Sequence, residues 1–328
     1  MRAVYVTSFE MPCRLEVWND ALKPDIDDNK KVLVKVHAAG VNSIDKGIAT
    51  GQFNRLHINP PFIPGLDAAG IVEVAGGDVT KFKPGDRVYI FSRKMGSFAE
   101  YVSVEEDEVR HLPGNVSFQQ GAVLATPYLT AYRAIVHRGK AQRGETILIH
   151  GASGSVGLAC CQIARTLGLR VIGTASTREG ENLVRENGAD SVFNHKTPEH
   201  VTQVLDATGG KGVDLIVETT TSLNFEGDVK MSAANGRILV IGRGPGHLQT
   251  PLAGLMPKEL DVKGVGLITA TKAELEEAFD FIEHNVKTGS LVPLVGRQYR
   301  MEEASLAVQS LGKSNGILGK QILNICQG

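Results

Sequence analysis

The stretch Thr146-Ile147-Leu148-Ile149-His150-Gly151-Ala152-Ser153-Gly154-Ser155-Val156-Gly157 sets three glycines directly after a compact apolar run. Val156, Cys160, Ile163 and Leu167 then recur at helical spacing, so the segment reads as strand, tight turn and helix. Gly154 permits close approach of an anion to the backbone, and Gly157 permits close packing of the helix on the strand. The amides of Ser153, Gly154, Ser155 and Val156 open that helix, where unpaired N–H groups and the helix dipole favour a phosphate. Strand before, helix after and further units of the same kind downstream favour dinucleotide binding over an ordinary βα turn.

Working outward, the apolar runs Ile147–Ile149, Val171–Ile172, Val213–Val217 and Ile238–Ile241 alternate with helical stretches, the pattern of a doubly wound parallel sheet. Upstream, from Lys31 to about Ser103, the period is that of strands. Val32, Val34 and Val36 share one face, and turns are signalled at Pro64-Gly65, Gly76-Gly77-Asp78 and Pro84-Gly85-Asp86, which reads as a β-rich barrel or sandwich. Thr271 and Glu274 have capping-box spacing ahead of an apolar helical stripe. The expected class is therefore α/β. A first, β-rich domain takes residues 1–122 and 268–328, and a doubly wound domain takes residues 123–267.

The 328 residues suggest about two domains. With 35 basic and 36 acidic residues the net charge is -1, so no overall field draws the chain to nucleic acid or an anionic membrane. Apolar stretches fall far short of the ~20 residues needed to cross a bilayer, and the N-terminal segment lacks the h-region of a signal peptide. Four cysteines, Cys13, Cys160, Cys161 and Cys326, are too irregularly spaced for a disulfide framework or a C-x2-C zinc site. A soluble, cytoplasmic protein is expected, with no membrane partner and nucleic acid disfavoured. Cys160 and Cys161, inside the helix, read as small core residues rather than a redox pair.

An NAD site usually ends its second strand, ~20 residues past the glycines, with an acidic residue for the ribose hydroxyls. Here the window from Val171 to Arg178 holds no acid before Glu179, while Ser176, Thr177 and Arg178 offer hydroxyls and a cation. That chemistry suits a 2′-phosphate and favours NADPH over NADH.

At this point the chain resembles the medium-chain dehydrogenase/reductases, and within them the zeta-crystallin-like quinone oxidoreductases. The likeness rests on Lys35–Asn42, Pro64–Gly70, Pro84–Val88, Gly96–Tyr101, Pro127–Tyr132, Gly144–Arg165 and Asn187–His195. Two stretches depart from the family pattern: Ser155 stands where glycine is usual, and the loop at Arg243-Gly244-Pro245 carries an insertion. The resemblance implies a GroES-like catalytic domain, a Rossmann domain and an active site in the cleft. It implies cofactor contacts at Asn42, Thr126, Ser153, Gly154, Ser155, Val156, Ser176, His195, Asn224, Ile241, Gly242, Arg243, Gly244, Val265, Gly266 and Leu267, which Arg178 joins through the chemistry of its window. Asn42 is also the implied catalytic residue, with Asp45, Gly47 and Phe53 toward the substrate. The run Leu260–Leu267 resembles the edge strand through which relatives form homodimers.

Zinc-dependent members carry Cys and His ligands where this chain has Asn42 and Leu66, and a catalytic zinc needs about three protein ligands. No metal is expected. The other histidines, His37, His57, His111, His137, His150, His247 and His284, show no paired spacing and are expected at the surface or in the core. Without a Lewis acid, alcohol oxidation is disfavoured and an electrophilic acceptor is favoured. Three functions remain: reduction of quinones, reduction of the carbon–carbon double bond of enals, enones or enoyl thioesters, and NADPH binding without catalysis, as a crystallin or RNA-binding protein. In many relatives tyrosines occupy the positions of Gly47 and Phe53, so a wider acceptor pocket is expected, and no proton donor is evident.

Overall fold

A computed structural model describes residues 1–26, 28–53, 58–248, 252–312 and 318–326. His57 lies outside the described residues. The chain divides into two units, Met1–Thr126 with Pro293–Gly328, and Pro127–Val292.

The first unit begins with β1 (Ala3–Val6), β2 (Leu15–Trp18), β3 (Lys31–Gly40), β4 (Asp67–Ala75), β5 (Arg87–Phe91), β6 (Tyr101–Glu105) and β7 (Val109–His111). The second unit holds β8 (Thr146–Ile149), β9 (Arg170–Ala175), β10 (Ser191–Asn194), β11 (Val213–Glu218), β12 (Ser232–Val240) and β13 (Asp261–Gly264). The tail returns to the first unit with β14 (Val295–Arg300) and β15 (Lys320–Asn324).

In the first unit seven strands form one mixed sheet in the order β14-β15-β3-β4-β5-β7, with β6 also pairing β3. All its pairs are antiparallel except β14 with β15. Val32, Val34 and Val36 are buried as their alternation requires, and pack with Val4, Val72, Ile90, Phe98 and Leu323. The strand period that reads as a barrel or sandwich in the sequence is that of this sheet and a separate β1–β2 pair.

The second unit is built on a six-stranded parallel sheet ordered β10-β9-β8-β11-β12-β13. Ile147, Leu148 and Ile149 are wholly buried, which is why this strand shows no alternation: helices cover both faces of such a sheet. The order reverses between β8 and β11, so the carboxyl ends of these strands form a crevice at the switch point.

The second boundary differs from its sequence-based placement. The helix Lys272–Lys287 belongs to the second unit, and the chain returns after Val292 rather than after Leu267. Glu274 forms an ion pair with Arg133 at 2.7 Å, Glu277 accepts a hydrogen bond from the Tyr132 hydroxyl at 2.9 Å, and Phe279 and Ile282 are buried. The capping box that starts this helix is present, Thr271 N–H donating to Glu274 at 2.8 Å and Glu274 N–H to Thr271 Oγ1 at 3.2 Å. Among the described residues no helix is long and apolar enough to cross a membrane.

Candidate functional site

In the second unit the candidate cofactor residues gather at the carboxyl ends of the parallel strands. The helix Ser155–Thr166 starts where the glycine turn predicts, with Gly154 as its extended N-cap and Ser155 in the first helical position. Gly151 has φ +60, and a Cβ on Gly157 would fall 2.5 Å from Ala152 Cα and from Gly151 O. Gly157 is therefore required by packing. A Cβ on Gly154 would meet only Gly151 O, at 3.4 Å, so the protein itself leaves that space open. Among the described residues the N–H groups of Val156 and Gly157 have no acceptor, whereas Leu158 N–H donates to Gly154 O. Two such donors at a helix start fit an anion.

Ser176 follows β9 and is half-buried, while Arg178 is exposed and opens the helix Arg178–Glu186, capped by Thr177 Oγ1 accepting from Gly180 N–H. Because β10 lies beside β9, His195 N–H donates to Ala175 O at 3.3 Å, which brings His195 next to Ser176. Burial pushes the His195 imidazolium below its ordinary range. After β11 and β12, Thr221 N–H donates to Gly242 O and Ser222 N–H to Arg243 O, so the helix bearing Asn224 is tied to the loop Ile241–Gly244. Val265 N–H donates to Val240 O at 2.9 Å, and Gly266 O accepts from Arg133 Nε. Residues from six strand ends thus line one edge of one sheet.

Beneath that edge lies a cluster that the sequence reading passed over. His150, Glu218 and Asp228 are each at most 1% exposed, and their ligating atoms lie within 4.8 Å of one another. His150 Nε2 is 2.8 Å from Asp228 Oδ1 and 3.9 Å from Glu218 Oε2. The shorter separation is hydrogen-bond length, below the ~3.3 Å between two nitrogen or oxygen ligands on a tetrahedral zinc. Glu218 Oε2 and Asp228 Oδ2 have no hydrogen-bond partner, and burial pushes both carboxyls up to about 7. One proton between the two carboxyl groups satisfies both oxygens. Glu218 also accepts from Thr220 N–H and from the side chain of Asn224, which links the cluster to a candidate cofactor residue. The signal is a titratable residue ending each of two buried strands, His150 after β8 and Glu218 in β11.

Cys160 and Cys161 are wholly buried. Burial pushes the Cys161 thiol up to about 12 and Cys160 well above its ordinary value, so neither is a ready nucleophile.

In the first unit Asn42 sits in a second buried network. Its Nδ2 donates to Asp67 Oδ2 at 3.0 Å, and its Oδ1 accepts from Lys320 Nζ. Asp67 Oδ1 accepts from Thr126 N–H at 3.1 Å and from Thr126 Oγ1 at 2.5 Å. Asp45, expected toward the substrate, is wholly buried instead. Its carboxylate accepts the Asn42 N–H at 2.7 Å, its other oxygen has no partner, and burial pushes it up to about 7. The helix Ser43–Ala49 needs an acid in that place to receive its N-cap amide. Gly47 and Phe53 are brought together, Phe53 N–H donating to Gly47 O at 2.9 Å. Asp67 and Lys320 were not foreseen, because a lone acid inside an alanine-glycine motif and a lone lysine opening a strand carry no spacing.

Residues 155–284 match the family described as zinc-binding dehydrogenase, and residues 28–114 the alcohol dehydrogenase GroES-like domain. A quinone oxidoreductase of Lama guanicoe is 40% identical over 324 residues, 98% of this chain and 97% of that protein. Among solved structures, an NAD-dependent alcohol dehydrogenase has a TM-score of 0.91 at 30% identity, over 99% of this chain and 100% of that one. The Escherichia coli quinone oxidoreductase complexed with NADPH has a TM-score of 0.86 at 27% identity, again over 99% and 100%. A GroES-like domain joined to a nucleotide-binding parallel sheet defines the medium-chain dehydrogenase/reductases. Within that superfamily the chain belongs to the quinone oxidoreductase family.

Proposed function

We propose that this chain binds NADPH and transfers its hydride to a quinone without a metal ion. The carrying observation is the glycine turn, where Gly154 is open and the N–H groups of Val156 and Gly157 have no acceptor among the described residues, in a family of quinone oxidoreductases. The residues fit a dinucleotide: the helix start would hold the pyrophosphate, and Ser176 with the exposed Arg178 would hold a 2′-phosphate. An acid that would bind the bare ribose of NADH is missing before Glu179. The Escherichia coli relative complexed with NADPH supports the same choice. His195, Asn224 and the loops Ile241–Gly244 and Val265–Leu267 complete the proposed contacts.

The nicotinamide of bound NADPH supplies the hydride. The protein binds, orients and excludes water. In the first unit Asn42 is held in one orientation by charged neighbours, and Gly47 and Phe53 are proposed to shape the space for a flat acceptor. Zinc independence rests on residue types: Asn42 is engaged by Asp67 and Lys320, and Leu66 offers no ligand. The proposal includes a homodimer through β13, which ends its sheet with Asp261 and Val262 exposed.

Following NADPH absorbance with benzoquinones, naphthoquinones, enals, enoyl thioesters and simple alcohols tests this reading. Turnover with quinones and little with alcohols is expected. Turnover confined to enals or enoyl thioesters would replace it with double-bond reduction. Binding of NADPH with no turnover would leave a cofactor-binding protein.

A further inference from the structure

The first unit holds a buried cation that hydride transfer, as described, does not use. Lys320 opens β15 and is 1% exposed. Its Nζ lies 3.3 Å from Asp67 Oδ2 and bonds Asn42 Oδ1. Taking an ammonium out of water costs several kcal/mol after relaxation, so its partners hold it there. What they hold it against is one end of an amide.

The two ends of the Asn42 amide are nearly alike in shape and opposite in polarity. Lys320 can only donate, and an ionised Asp67 can only accept. Oδ1 must therefore face the ammonium and Nδ2 the carboxylate, as observed. The second Asp67 oxygen is fixed by the two donors of Thr126, so the carboxylate cannot rotate to follow a turned amide. Without the ammonium, Oδ1 loses its donor and the amide loses its reason to point one way.

We propose that Lys320 is a positioning residue for the reaction, its ammonium held by Asp67 and setting the orientation of the Asn42 amide. This rests on the reading that Asn42 serves hydride transfer. The charged groups acting on Lys320 are Asp67 on β4 and Asp45 on the helix Ser43–Ala49. Burial draws the Lys320 ammonium below the ordinary lysine range, against the pull of those carboxylates. The protonated form orients Asn42, so turnover should fall as rising pH removes that proton. An arginine there keeps its charge throughout the accessible range.

The test measures kcat, KM and NADPH dissociation constants with 1,4-naphthoquinone, from about pH 6 to about pH 10.5. It compares wild type, Lys320→Arg, Lys320→Met and the charge-balanced double variant Lys320→Met with Asp67→Asn. Lys320→Met should lower kcat about tenfold or more with NADPH affinity within about twofold of wild type. Lys320→Arg should keep most of kcat and lose the alkaline fall. The double variant should recover thermal stability without recovering kcat. If Lys320→Met does not fold, the arginine and double variants carry the test. Independently of turnover, the side-chain amide resonance of Asn42, assigned by its loss in Asn42→Ala, should titrate at alkaline pH in wild type and not in Lys320→Arg. A folded Lys320→Met with wild-type kcat and alkaline limb, a double variant with restored kcat, or an Asn42 resonance that titrates identically in Lys320→Arg would each overturn the proposal. Wild type that turns over no quinone while its Asn42 resonance titrates as expected would defeat the proposed function and leave the orientation by Lys320 standing.

Discussion

His150 Nε2 lies 2.8 Å from Asp228 Oδ1, while its Nδ1 lies 3.4 Å from Thr174 Oγ1, which accepts the Gly151 N–H at 3.3 Å. Accepting from Gly151 uses one lone pair of that hydroxyl and leaves its proton free for Nδ1, so an Nε2–H donating to Asp228 Oδ1 satisfies both ring nitrogens. A chain of hydrogen bonds thus runs from the first glycine of the turn into the buried carboxyl pair. The anchoring of the anion-binding loop and the protonation of the cluster are joined through one histidine.

The cluster makes stability depend on pH. Glu218 and Asp228 are pushed up to about 7 by burial, against about 4 in an unfolded chain. Between those values the folded state holds protons that the unfolded chain has lost, so stability falls as pH rises and levels off above the folded values. His150, pushed down by burial, opposes this, since the unfolded chain takes up its proton below about pH 6.5. Above about pH 6.5 the unfolded imidazole is neutral too, and the carboxyl pair acts alone. Asp228→Asn should therefore show a shallower loss of Tm than wild type between about pH 5 and pH 8, each removed group accounting for at most about 1.4 kcal/mol per pH unit. Parallel Tm curves would place the protons elsewhere.

Two glycines of the turn should fail differently. Gly157→Ala drives a Cβ to 2.5 Å from Ala152 Cα, and the backbone must shift at a cost of about 1–3 kcal/mol. Gly154→Ala meets only Gly151 O at 3.4 Å from an ordinary backbone conformation. It should leave stability within about 0.5 kcal/mol and still weaken NADPH binding. Thermal melts and cofactor titrations separate the two. Equal affinity for NADPH in Gly154→Ala and wild type would show that the open space is not where phosphate sits.

NADPH should be preferred to NADH by about 1–2 kcal/mol, or roughly ten- to thirtyfold. Arg178 is exposed at the first position of its helix, so Arg178→Ala should erode that ratio with little change in Tm. Dissociation constants equal for both cofactors in wild type would defeat the assignment of the window from Val171 to Arg178.

Most of the architecture was legible because burial writes itself into period: Ile147–Ile149 as an unbroken apolar run, Val32 to Val36 as an alternating one. Local turn chemistry was equally plain, and Thr271 with Glu274 starts its helix as spaced. What could not be read depends on partners far apart in the chain. The helix Lys272–Lys287 has an apolar stripe that fits either unit, and contacts with Arg133, Tyr132 and His137 decide which. The pairing of Asn42 with Lys320 spans 278 residues. Asp45 shows the same limit locally: the resemblance places it toward the substrate, and its carboxylate accepts the N-cap amide of its own helix.

The exposed end of the parallel sheet predicts assembly. Val262 is 44% exposed on β13, and an unpaired edge strand invites pairing with a second copy. Light scattering should return about twice the 35.1 kDa of one chain, and Val262→Lys should shift it toward one. A wild type that stays at one chain at working concentration would contradict the dimer.

Gly47 is where acceptor size should be set. It lies in the helix Ser43–Ala49, and a Cβ there would stand 3.3 Å from Phe53 Cβ. A small side chain therefore needs only a slight yielding of Phe53, and Gly47→Ala should retain near-wild-type turnover. Gly47→Tyr adds a ring beside Phe53 in the space proposed for the quinone. The loss in kcat/KM should grow with the acceptor, slight for 1,4-benzoquinone and about tenfold or more for a three-ring quinone, since overpacking of a shaped site costs about 1–3 kcal/mol. NADPH affinity should hold, because Gly47 is not among the proposed cofactor contacts. If Gly47→Tyr slowed benzoquinone and the three-ring quinone equally, the acceptor would not lie against this helix. If it weakened NADPH binding instead, Gly47 would belong with the cofactor contacts.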